Sequence, residues 1–390
     1  MISFTTAEKA LKSFYLSVLA EQLNTNVNPL LAKIEQTSSD VWGKEIIKLA
    51  TYGLNGGIKA GEETGGLPKA GGNNYAQFVL TLKNFYGQLE ISDKAIRASQ
   101  NNAGAFVNLL NAEMEGLLKA SRFNFGRMLY GDGSGKLADI VEYTAAPDNS
   151  YIKVDRIDMF NVGMIIDIAT SAGTVNIGGK GRKIVAVDRA NSAIRIDYTP
   201  TTAFAAGCMI YIQDSKDYEL TGLEAIFGDS TTLYGLNRAD YDFLKPYKKE
   251  VGALSFGAIQ DAVDYIEQYA GGTVDFIACS FDARRAYIDL CASKTTNIDV
   301  MNLDGGYKAL SYSGIPIVAD KFAGSGTMYL LNTADFKLHQ LCDWRWLEGA
   351  GGSILKQNAS YATYSATLVK YADLLCERPM GQAKLSGIGA

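Results

Sequence analysis

The sequence predicts an α+β protein of several sub-domains with a small all-β module inserted into it. Three observations carry that expectation. The stretch from Ala105 to Tyr130 has the periodicity of one long helix. Residues 139–217 hold short alternating runs spaced about ten residues apart. Residues 254–332 alternate helical and extended patterns, as a layered α/β unit does. At 390 residues the chain exceeds what a single core organises, so about two or three sub-domains are expected.

Taken in order, residues 1–50 carry helical periodicity in pieces. Leu11, Phe14, Tyr15, Val18 and Leu19 make one stripe, Asn28-Pro29 breaks it, and Leu30, Leu31 and Ile34 begin another. A split terminal segment reads as an arm. From Tyr52 to Asn74 glycine is dense, and Tyr75 to Ser92 then reads as one long strand with Phe78, Leu80 and Leu82 alternating with polar or smaller residues. This predicts a two-stranded projection, which is marginal alone and gains from lying on a neighbour. A phosphate-binding loop would need G-x-x-x-x-G-K-[ST] between strand and helix, and neither this stretch nor Gly131–Gly135 has it.

Ser92-Asp93 can cap a short helix to Ser99. Asn101 or Asn102 can cap the long one, because a short side-chain carbonyl accepts from first-turn amides. Phe106, Leu110, Met114, Leu117, Phe125 and Met128, with Ser121 as a small gap, fall on one face. The glycines of Gly131-Asp132-Gly133-Ser134-Gly135 stop the helix. At 1.5 Å per residue the rod is roughly 39 Å long, a spine on which other layers rest.

Beyond it, Val162–Ile168, Lys183–Val187, Ala193–Tyr198 and Met209–Ile212 alternate between turns at Gly178-Gly179, Asn191-Ser192 and Pro200, predicting a small barrel or sandwich. In 254–332, Ser255 and Ser280 can cap helices, Val274–Cys279 is a buried strand, and Gly314–Asp320 and Thr327–Leu331 are further strands. The loop from Ser293 to Ala309 separates them. Trp344 to Lys356 reads as a hairpin tipped by Gly349–Gly352. A long strand from Ser360 to Cys376 follows, and a short one near Ala383–Ile388 ends the chain.

The chemistry is sparse. Thirty-seven basic against 42 acidic residues give −5, with no basic stripe of the kind that grips nucleic acid. Five cysteines lack a C-x-x-C pair and read as reduced, mostly buried thiols. His339 is the only histidine, placed in a strand-to-helix stretch, and gives no zinc site or nucleophile–His arrangement. Asp132–Gly135 is too short for a calcium loop. Trp344 and Trp346, two apart, face one side of a strand and suit a packed core or a subunit contact better than stacking a sugar or base. No run of 18 apolar residues suggests a membrane partner. No catalytic residue, cofactor or metal is expected, and the chain reads as a non-enzyme.

Several stretches together resemble the tailed-phage major capsid proteins of the HK97-like fold. They are Glu62-Glu63-Thr64-Gly65-Gly66-Leu67-Pro68 through Tyr75–Ile91 into Ser92–Ser99, the spine helix with its Gly-Asp-Gly-Ser-Gly stop, Ser313-Gly314-Ile315-Pro316-Ile317-Val318, and Leu374-Leu375-Cys376-Glu377-Arg378. The resemblance covers nearly all the chain except about 139–217. The family runs from its glycine turn into Leu-x-Gly-Leu. Here that continuation looks like Leu220-Thr221-Gly222-Leu223, so the intervening module resembles an insertion domain.

The resemblance implies an N-arm at 1–53, an E-loop at 54–85, a peripheral domain at 86–138 with the spine helix, and the inserted β-rich domain at 139–217. The peripheral domain resumes at 218–253, an axial domain fills 254–332, and peripheral hairpin and strands fill 333–390. Inter-subunit contacts are implied for Glu62, Glu63, Leu67, Pro68, Lys69 and Tyr75 on the E-loop, and for Trp344, Arg345, Trp346, Glu348 and Lys356 on the hairpin. The loop with Asp299, Asn302, Asp304 and Tyr307 would approach the five- and six-fold axes.

Implied with these is self-assembly into hexamers and pentamers of an icosahedral shell. The shell would enclose double-stranded DNA without sequence-specific binding, be put together in a host bacterial cytoplasm, and end as a virion capsid. A portal protein is an implied partner, and a decoration protein a further one. With about 50 residues before the loop, a separate scaffolding protein is expected. Some members join Lys to Asn through a catalytic Glu. Lys59, Lys69 and Asn358 match by residue type, but non-covalent locking is the expectation here. An encapsulin-like compartment shell and a ligand- or glycan-binding enzyme built on the β-rich module are the alternatives.

Overall fold

The computed structural model describes residues 28–39, 41, 43, 45–94, 103–144, 151–175, 177–198, 204–294, 300–302, 308–349 and 352–389. The stripe at residues 11–19, Asn101, Asn102, residues 95–99 and most of the 293–309 loop lie outside these.

The spine helix runs over Ala103–Met128. Met114, Leu118, Phe125 and Met128 are buried against a five-stranded sheet, while Leu117, expected on the buried stripe, is half-buried beside Leu118. Phe125 meets Phe85 edge-on at 5.9 Å and Trp344 at 6.1 Å. Leu117 presses on Gly87, where a Cβ would stand 3.0 Å from its methyl. The central strand of this sheet is Thr363–Cys376. Lys83–Ser92 pairs along one edge of it, while Phe336–Trp346 and the short Lys356–Gln357 pair along the other. Glu35–Thr37 adds a parallel outer strand. It follows the short helix Pro29–Lys33, whose first turn is capped by the Asn28 side chain.

The long strand expected over 75–92 is two strands. Asn74–Thr81 pairs with Glu45–Tyr52 in a separate ribbon, from Glu45↔Thr81 to Tyr52↔Asn74. Lys83–Ser92 belongs to the five-stranded sheet. The buried positions are Ala76, Phe78, Leu80 and Leu82 on one side of the break, then Phe85, Leu89 and Ile91 on the other. The even phase becomes odd, and a one-residue slip of this kind sends side chains to the opposite face. The expected Trp344–Lys356 hairpin is also corrected. Phe336–Trp346 turns back onto Thr363–Cys376 instead. His339 lies buried within that strand, opposite Asp373, not at a strand-to-helix junction.

From Lys136 to Ile212 six strands close into a barrel. Ile140, Ile152, Val154, Ile166, Ile168, Ile184, Ile194 and Ile210 fill it, branched residues that suit a pleated, crowded interior. The buried Asp167 carboxylate accepts from the amides of Gly181 at 2.7 Å and Asp214 at 2.8 Å, tying two loops together.

A seven-stranded sheet forms the remaining layer, in the order Tyr247–Glu250, Ala383–Ser386, Met328–Leu331, Phe276–Cys279, Ile315–Ala319, Lys308–Tyr312, Val300–Asn302. Helices Phe256–Tyr265 and Phe281–Ser293 begin on Ser255 and Ser280, whose hydroxyls accept from the amides of Ala258 and Ala283. Ile259, Ile266, Ile277, Ile317 and Leu330 make the core on the helix side. Phe276, Val318 and Tyr329 join the larger core on the other side. Tyr247–Glu250 and the last strand, expected with the peripheral elements, belong to this sheet.

Two buried ionic groups join the layers. The Arg127 guanidinium at the spine's end makes a bidentate pair with Glu219, Nη1 to Oε2 at 2.8 Å, both side chains 3% exposed. Such a pair costs desolvation, but removing one partner leaves a bare buried charge. Asp373 accepts from the Thr221 amide at 2.8 Å and hydroxyl at 3.1 Å. Its burial pushes the carboxyl up to about 6, against the opposing pull of those hydrogen bonds and Lys83.

The folded chain therefore holds the Asp373 proton more tightly than the unfolded chain, whose Asp titrates near 3.9. This group leaves stability intact below about pH 4 and lowers it progressively to about pH 6. Above that the loss is roughly 3 kcal/mol. Asp373→Asn keeps an acceptor for the Thr221 amide. In melts of the purified chain it is expected to flatten the fall in stability between about pH 4 and 7. An unchanged slope would refute the assignment.

Candidate inter-subunit surfaces

The ribbon is the feature least explained by the subunit's own packing. Its inner face is satisfied: Tyr52 lies 5.4 Å from both Tyr241 and Phe243, and Phe78 is edge-on to Tyr234 at 5.7 Å. Lys48 pairs with Glu377, which Lys337 also reaches at 3.3 Å. Together these cations hold the Glu377 carboxyl below its ordinary value, against the effect of its burial. The outer face carries Ile47, Leu49, Tyr75 and Val79, all exposed. Beyond the paired strands the tip from 53 to 73 has no strand of its own. Leu54, Ile58 and Leu67 are 90%, 85% and 94% exposed there. Contiguous exposed apolar side chains at that density are uncommon on a protein that stays monomeric.

Within the tip the two arms cross closely. A Cβ on Gly71 would stand 2.2 Å from Asn55 Oδ1 and 2.5 Å from the Gly57 nitrogen. The Lys59 ammonium donates to the Gly66 carbonyl at 3.0 Å. Glu62, Glu63, Leu67, Pro68 and Lys69 are exposed on this loop, and Tyr75 on the strand that leaves it.

The other predicted contact residues divide. Trp344 and Trp346 are 7% and 5% exposed, with Trp344 packed on Phe125 of the spine. Their expected role in another subunit's surface is corrected: they are core residues of this one. The Lys370 ammonium, 1% exposed, bonds Gln340 at 2.7 Å and Asp343 at 2.8 Å and faces the Phe125 and Trp344 rings. Arg345, Glu348 and Lys356 are exposed at the rim. Asp299, Asp304 and Tyr307 lie outside the described residues. Asn302 ends the edge strand Val300–Asn302 of the seven-stranded sheet. The Asn358 amide donates to Glu90 at 3.0 Å and Thr363 at 2.9 Å and accepts from Ser365 at 2.8 Å, pinning the edge of the five-stranded sheet.

The chain returns from the barrel to the point it left. The Asp217 amide donates to the Ser134 carbonyl at 2.8 Å, and Gly133 sits against the Leu220 carbonyl. Leu220–Leu223 therefore follows the glycine turn in space, although about 80 residues separate them in sequence. Sequence reasoning missed Tyr234 and Arg238 in the next segment. Arg238 donates to the carbonyls of Ala225, Ile226 and Leu244, closing the end of the helix Leu223–Phe227.

Among the described residues no cluster of three or more His, Cys, Asp or Glu could hold a metal. No described helix is long and apolar enough to cross a membrane.

No protein-family model matches the chain, and no curated protein matches it in sequence. Solved structures match in shape. A chain of the cyanophage A-1(L) capsid asymmetric unit is 12% identical, aligns over 94% of both chains and gives a TM-score of 0.56. The capsid of an empty GTA particle is 10% identical over 93% of this chain and 90% of its own, at 0.49. The holo-SrpI encapsulin complex from Synechococcus elongatus PCC 7942 is 8% identical over 93% and 88%, at 0.47. The fold assignment rests on the first of these: spine helix, flanking sheets and protruding ribbon together have the mixed α/β HK97-type fold of a phage capsid subunit.

Proposed function

We propose that the chain is a structural major capsid protein, without enzymatic activity, whose copies close as hexamers and pentamers into an icosahedral shell around double-stranded DNA. The observation that carries this is the capsid-type fold over 94% of the chain. It is joined by a ribbon whose outer face and tip leave apolar side chains without a partner in the subunit. The E-loop residues Glu62, Glu63, Leu67, Pro68, Lys69 and Tyr75 would lie on a neighbouring copy, and Arg345, Glu348 and Lys356 would meet others at the rim of the sheet. Repetition of one interface then closes the shell. The net charge of −5 fits a container that does not hold its contents by phosphate contacts.

In this reading the residues before the ribbon strand Glu45–Tyr52 are the N-arm, the seven-stranded sheet with its two helices is the axial domain, and the barrel is an inserted domain that stabilises the subunit or faces outward as decoration. The axial loop carrying Asp299, Asn302, Asp304 and Tyr307 lines the five- and six-fold axes. A portal protein, a separate scaffolding protein and a decoration protein are the partners, with assembly in the host cytoplasm and the virion as destination.

Electron microscopy of the purified chain, alone and with its scaffold, is the test. Closed polyhedra containing nucleic acid are expected. Particles filled with an enzyme instead would favour the encapsulin-like alternative, and monomers under every condition would end the proposal. The lock between copies is non-covalent, so boiled particles should run as one band near 42.1 kDa. A ladder of multiples would overturn that.

A further inference from the structure

The base of the ribbon is gripped by a turn that its own backbone resists. Between Thr232–Leu233 and Leu236–Asn237 the chain reverses through Tyr234 and Gly235 alone, at φ +51° and +80°. Two positive-φ residues in succession suit Asn-Gly or Gly-Gly. A tyrosine in the first place crowds its Cβ against the following carbonyl, and a bulky residue there is a true outlier. Such strain persists only where the surroundings over-determine it.

The surroundings here are the two parts that the turn joins. The buried Tyr234 phenol donates to the Leu374 carbonyl at 3.3 Å and accepts from the Cys376 amide at 3.0 Å, at the end of the central sheet strand. Burial raises that phenol well above its ordinary value, so it stays protonated as a donor. On the other side the Tyr234 carbonyl accepts from the Val79 amide at 2.9 Å, on the edge of the ribbon. The ring meets Phe78, and Phe78, Phe243, Tyr52 and Tyr241 continue as an aromatic shelf under the ribbon.

We propose that the Tyr234–Gly235 turn is a clasp that sets the angle at which the ribbon leaves the subunit. Closed, the phenol holds the turn in its strained form and the turn holds Val79. When the phenol lets go, Tyr234 relaxes to negative φ, the Val79 amide is released, and the ribbon pivots on its shelf. The turn is then a two-state element of the kind that converts a small local change into a large displacement. Whether the angle also governs shell size rests on the capsid reading above; the clasp does not.

Hydrogen exchange on the unassembled full-length chain separates strain from simple packing. Tyr234→Phe keeps the ring and the backbone strain but loses both phenol bonds. Exchange of peptides covering 74–81 is expected to quicken at least tenfold, with barrel peptides around Ile166 and Ile184 unchanged. Tyr234→Asn loses the ring but suits positive φ, so its turn stays formed and ribbon exchange stays nearer wild type. If Asn loosens the ribbon more than Phe, ring packing does the holding and the clasp is wrong; if both loosen it equally, the strain of the turn plays no part and the clasp is wrong as well. If neither variant differs from wild type, it is equally wrong.

Particles made from Tyr234→Phe should in addition spread in diameter relative to wild type. Uniform particles would confine the clasp to the free subunit. Absence of wild-type particles would count against the capsid reading and leave the exchange result standing.

Discussion

Gly222→Ala is expected to unfold the subunit or to destabilise it by about 4 kcal/mol or more, the range reserved for severe core lesions. Gly222 has φ −83°, so backbone freedom is not the reason. The reason is approach. A Cβ there would stand 2.4 Å from the Met128 carbonyl oxygen, 2.5 Å from that of Gly131 and 2.8 Å from that of Leu129. All three are backbone atoms at the end of the spine helix, and none can swing aside as a side chain can. The neighbouring Leu223 amide donates to the Leu129 carbonyl at 2.8 Å, so any retreat of residue 222 also breaks that closure. Thr221 is pinned to Asp373 on the other side. The control is Gly116→Ala on the exposed part of the same helix, where a Cβ meets nothing within 4 Å. It should gain about 0.5–1 kcal/mol, the usual benefit of alanine in a helix interior. Urea unfolding of both variants decides the matter. A Gly222→Ala midpoint matching wild type would mean that the helix end and the 220s turn do not meet as described.

That contact shows where sequence reasoning reaches and where it stops. Leu220-Thr221-Gly222-Leu223 was recognisable as a displaced continuation of the glycine turn. What required glycine at 222 was not, because the three carbonyls arrive from 91–94 residues earlier in the chain. Locally encoded elements read well. The caps at Ser255 and Ser280 precede the expected helices, because capping is a short-range property. The alternation of 139–217 signalled strands, while the closure of six of them into a barrel is a matter of distant pairing.

The break at Leu82 was legible and overlooked: Phe78, Leu80 and Leu82 are in one phase, and Phe85, Leu89 and Ile91 in the other. Trp344 and Trp346 could be placed on one side of a strand, but not on the side facing Phe125, since nothing local distinguishes the two. Tyr234 was invisible for the same reason. Its hydrogen-bond partners are at 79, 374 and 376.

Replacing residues 53–73 by a two-residue Asn-Gly turn should leave a folded subunit that forms no shells. Tyr52 and Asn74 are register partners, so a short turn can join them without disturbing the ribbon. Leu54, Ile58 and Leu67 are at least 85% exposed, and the tip's own bonds, such as Gly65 to the Glu62 carbonyl, stay within it. The subunit core therefore loses almost nothing, and the melting temperature should hold.

On the capsid reading proposed above, assembly loses much more. Fully burying a large apolar side chain is worth about 1.5–3 kcal/mol, so three of them on a neighbour contribute roughly 6 kcal/mol per contact. That is about four powers of ten in the equilibrium constant for each contact, repeated around every ring of subunits. Leu67→Asp should reproduce part of the effect, because it puts a charge where apolar surface must close. Sedimentation and microscopy of the two variants beside wild type give the readout. Shells of ordinary yield and shape from the deletion would show that copies hold one another elsewhere, and that the exposed tip answers to some other partner.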